Sequence, residues 1–100
     1  MTELLDVRNP RTGENDYQIC VADDAIIGNI ETDVRACQPG WKSLGVDGRI
    51  AVLTEFRDAL LRHTDSIVAA LSVDTGRHAL AAGELMGLVA MIDRWCLTAP

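Results

Sequence analysis

Five side chains of this sequence could carry chemistry on their own: Cys20, Cys37, Cys96, His63 and His78. A thiolate is a nucleophile, and an imidazole beside it is the usual base. The spacing argues against both uses. No two cysteines form the CxxC interval that would suggest zinc binding or redox exchange, and three thiols cannot all pair with one another. His63 and His78 stand at expected helix junctions without Cys or Glu partners at ligand intervals, which points to surface or capping roles. Cys20 falls on an expected strand, while Cys37 and Cys96 fall on or beside apolar helix faces. Burial there would raise a thiol's pKa and leave it inert, so all three read as reduced structural cysteines. Gly28 stands alone. Gly83 and Gly87 lie one turn apart inside a helical stretch rather than in a GxGxxG after a strand, so they suggest close helix packing and not a phosphate cradle.

The elements that would position these residues can be read from apolar periodicity. Leu5 and Val7 alternate, Asn9 to Asp16 turns, and Tyr17, Ile19 and Val21 resume the alternation, which is a hairpin pattern. Pro10 supplies a fixed φ and Gly13 a permissive one, in a loop longer than two residues. From an Asp23 or Asp24 cap, Ile26, Ile27, Ile30, Val34, Cys37 and Trp41 recur at helical spacing, and this first helix is expected to end near Pro39-Gly40. Asp47 offers a cap ahead of a second helix with Ile50, Leu53, Phe56, Leu60 and Leu61 on one side and Arg49, Glu55, Arg57, Asp58 and Arg62 largely on the other. Thr64 and Asp65 suit a restart before Ile67, Val68 and Leu71, and Gly76 is a natural stop. A last helix, from about Leu80 to Cys96, carries Leu85, Leu88, Val89, Ile92 and Trp95.

The fold class expected is an α+β segment, an N-terminal β-hairpin over 1–22 followed by three or four helices over 23–100. One feature makes it look incomplete. Between Ala79 and Ile92 the only charged side chain is Glu84, so the last helix is apolar nearly all round and calls for cover that 100 residues can hardly supply. A membrane span is excluded by length, since the uncharged runs fall short of the roughly 20 residues a bilayer requires.

Composition narrows the function classes. With 48% hydrophobic residues but 4% aromatic ones, the core must come from Leu, Ile, Val and Ala. A net charge of -6, from 9 Lys plus Arg against 15 Asp plus Glu, disfavours nucleic-acid binding. The opening residues lack a basic region followed by an apolar one, so no secretory signal is read and a cytoplasmic location is expected.

The order of the breaks is the most specific signal. Asn9-Pro10-Arg11-Thr12-Gly13-Glu14, then Trp41 near a helix end, Arg49 at the start of a Leu-rich helix, Asp74-Thr75-Gly76-Arg77, and Glu84 on the last helix follow one another over nearly the whole chain. In that order and spacing they resemble the N-terminal segment of the NAD(P)-dependent aldehyde dehydrogenases. Two departures bear on the subfamily: Arg77 stands where the family generally has Lys, and Cys37-Gln38-Pro39-Gly40 interrupts what is usually a run of small helical residues. Arg77 itself reads as a solvated cation.

The resemblance implies an α/β nucleotide-binding domain flanked by this segment. It also implies NAD or NADP in the full enzyme, thiolate attack on an aldehyde, hydride transfer to nicotinamide and hydrolysis of the thioester. The family's nucleophilic Cys, Glu base and nucleotide site do not map onto these residues, so no catalytic or cofactor-binding residue is expected here. Asp74, with main-chain carbonyls near Val7 and Arg8, is a candidate for a monovalent cation, since hard cations take oxygen ligands. The partners implied are the rest of an aldehyde dehydrogenase subunit and like chains in a homo-oligomer. The alternative is a free-standing helical module for oligomerisation or partner binding, with the last helix as its interface.

Overall fold

The computed structural model describes residues 3–100; Met1 and Thr2, with which the hairpin and signal readings begin, lie outside the described residues. Two strands, β1 (Leu4–Arg8) and β2 (Asn15–Cys20), are followed by four helices, α1 (Asp24–Ser43), α2 (Gly45–Arg62), α3 (Thr64–Thr75) and α4 (Ala81–Thr98). The chain divides into two compact units at Leu44/Gly45.

In the first unit β1 and β2 pair antiparallel, with Leu5 opposite Ile19 and Val7 opposite Tyr17, so the alternating apolar residues share one face. The expected hairpin is present. Its strand resumes at Asn15 rather than Tyr17, because Asn15 and Asp16 are polar and periodicity could not show that Asn15 pairs with Arg8, with Asp16 as the extra residue at a register shift. The loop is built by side chains. Asn9 Oδ1 accepts from the N–H groups of Arg11 at 2.9 Å and Thr12 at 3.3 Å, and the Glu14 N–H donates to Thr12 Oγ1 at 3.2 Å. Gly13, at φ 79°, closes the loop by donating to the Asn9 carbonyl at 2.9 Å.

Asp23 is the cap of α1, its Oδ1 accepting from the Ile26 N–H at 2.8 Å. The helix does not end near Pro39-Gly40: it carries Pro39 inside and runs to Ser43. A proline removes one N–H donor but leaves its own carbonyl free to accept, and the stop comes where Gly45 turns left-handed at φ 67°. The Ser43 hydroxyl, donating to the Gly40 carbonyl at 2.7 Å, stabilises that last turn.

In the second unit α4 packs against both α2 and α3. The buried side chains on α4 are Ala81, Leu85, Val89 and Ile92, spaced to form one stripe along the helix. Leu88 and Trp95, expected on the same face, are exposed; their positions fall to one side of that stripe. On α2 the half-buried row is Ile50, Leu53, Arg57 and Leu60, while Phe56 and Leu61 are exposed. The expected stripe is thus shifted, because an arginine occupies its centre. Asp47 lies in the first turn of α2 rather than at its cap. His63 occupies the N-cap of α3 without a side-chain bond, and Gly76 ends that helix at φ 69° with its N–H on the Ser72 carbonyl. Among the described residues no helix is long and apolar enough to cross a membrane.

Candidate functional site

The residues with nucleophilic or basic chemistry fall on different elements. Cys20 ends β2, Cys37 lies midway along α1, and both are exposed; Cys96 is half-buried near the end of α4. The expectation that these thiols are buried is corrected for the first two, because the hairpin and α1 expose the faces that carry them. The first unit contains no histidine. In the second, His78 precedes α4 while Cys96 lies fifteen residues beyond its first residue, a distance of roughly 22 Å at 1.5 Å per residue. Among the described residues no three His, Cys, Asp or Glu side chains converge on a point that could hold a metal. Asp74, on the last turn of α3, is exposed.

Glycines do not build a cradle either. A Cβ added at Gly28, Gly83 or Gly87 would meet nothing within 4 Å. The expected close helix packing at Gly83 and Gly87 is therefore not made within the described residues.

What the structure does assemble is the Thr-Gly break. The Thr75 hydroxyl donates to the Leu71 carbonyl at 2.6 Å and accepts from the Arg77 N–H at 3.1 Å, so one side chain ties the end of α3 to the turn that follows. The Arg77 carbonyl accepts from the N–H groups of Leu80 and Ala81, both at 3.1 Å, which launches α4. Its guanidinium reaches Glu84 at 2.5 Å. Arg77 is thus an exposed cation, as read from the sequence, with an ion-pair partner that the reading did not give it. The signal that could have found it was at hand: Glu84 is the only charge in the first two turns of α4, seven residues on.

A second ion pair was not legible. Arg57 on α2 donates through Nη1 to Asp93 of α4 at 2.6 Å and through Nη2 to its neighbour Asp58 at 2.8 Å. The hydrogen bond to Asp58, then that to Asp93, raises the guanidinium's pKa further, so the cation persists at every accessible pH. Arg57 and Asp93 are 36 residues apart, and no local pattern connects them.

The Arg57–Asp93 pair joins α2 to α4 and the Arg77–Glu84 pair joins the Thr-Gly turn to α4, and the elements so arranged have a counterpart among solved structures. The chain superimposes on the structure described as "Putative Aldehyde Dehydrogenase PutA from Anabaena variabilis" with a TM-score of 0.90 and 37% identity over 94% of its length. It is similar in sequence and fold to the start of that aldehyde dehydrogenase chain. Of the Anabaena chain's length, this chain spans 20%. No family model and no curated protein matches it. The hairpin and four helices are therefore the expected start of an aldehyde dehydrogenase fold.

Proposed function

We propose that this chain is the structural opening of an NAD(P)-dependent aldehyde dehydrogenase subunit, in which the complete enzyme oxidises an aldehyde to a carboxylic acid. The observation that carries the reading is the 37% identity with the Anabaena structure over 94% of the chain. In this reading the segment, a hairpin over 1–22 and a helical region over 23–100, frames the nucleotide-binding domain. The nucleophilic cysteine, the glutamate base and the nucleotide site belong to other parts of the subunit.

The local chemistry supports that division. Each helix has a carboxylate in its first turn: Asp24, Asp47, Asp65 and Glu84. A helix N-terminus attracts phosphate through its free N–H groups and positive dipole end, and an acidic side chain in that place opposes it. These residues do not fit the pyrophosphate of NAD or NADP, and we assign the nucleotide to the remainder of the subunit. The exposed carboxylate of Asp74 offers a hard oxygen ligand, so a monovalent cation held there remains part of the proposal. Free thiols at Cys20, Cys37 and Cys96 suit a reducing, cytoplasmic setting.

The test compares aldehyde-dependent reduction of NAD and NADP, followed by absorbance, for the 100-residue chain and for the native polypeptide from source cells. The account predicts activity in the native polypeptide and none in the short chain. Turnover by the short chain would overturn the assignment of catalysis to other residues.

A further inference from the structure

We draw no further inference here: the strongest candidate, the exposed apolar face of α4 at Leu88, Met91 and Trp95 with the open hollow that Arg94 and Thr98 help to line, carries nothing because nothing in the structure shows what covers it.

Discussion

At the scale of single residues, the informative positions are those where one side chain or one φ angle decides the path of the chain. Gly76 is the clearest. At φ 69° it adopts the left-handed conformation that ends α3, and a Cβ there costs about 1–2 kcal/mol. Gly76→Ala is therefore expected to lower stability by about that amount in denaturant unfolding followed by circular dichroism, whereas Gly87→Ala, in an open helical position, is expected to raise it by a few tenths up to about 1 kcal/mol. Arg57 is the other. With its side chain about one-third exposed, its pair with Asp93 is partly screened, and a double-mutant cycle with Arg57→Met and Asp93→Asn should give a small favourable coupling that weakens with added salt. A coupling near zero would mean that the pair does not tie α2 to α4. Asn9, Gly13, Asp23 and Gly76 were legible in the sequence because each acts on its own neighbours. Arg57 was not, since its partner is brought to it only by packing.

Elements were legible to the extent that apolar periodicity reports burial within this chain. The hairpin and the helices after it were anticipated in order, with three or four helices left open where four are present, and the errors lie where a face has no cover or the wrong residue marks an end. Pro39 looked like a stop, but one missing donor does not terminate a helix whose next left-handed residue is Gly45. On α4 the expected stripe joined two sets of residues: Leu85, Val89 and Ile92 are buried, while Leu88 and Trp95 are exposed. This division predicts unequal costs of truncation. Leu85→Ala, at 4% exposure, should destabilise the chain by about 2–3 kcal/mol, and Leu88→Ala by less than about 1 kcal/mol. Thermal and denaturant unfolding of the two variants side by side would check it. Equal losses would contradict the packing of α4 described above.

Across the whole molecule, the recurring observation is apolar surface without cover, on the hairpin face of Leu5, Tyr17 and Ile19, on α1, and on α4 at Leu88, Met91 and Trp95. Single exposed apolar residues are ordinary, but contiguous faces mark interfaces. The candidate site followed the same logic. The sequence argued against a local nucleophile from the lack of a base beside any cysteine and against a phosphate cradle from glycine spacing; in the structure His78 precedes α4 and Cys96 lies near its far end. The expectation of buried cysteines failed for Cys20 and Cys37 because it assumed cover for the hairpin and for α1, whose faces are exposed. The central claim is that this segment works as part of a longer aldehyde dehydrogenase subunit. The most direct measurement is the mass of the native polypeptide in its source cells, detected with an antibody raised against this segment. The account predicts a species several-fold heavier than 10.9 kDa; a single species at 10.9 kDa would contradict it.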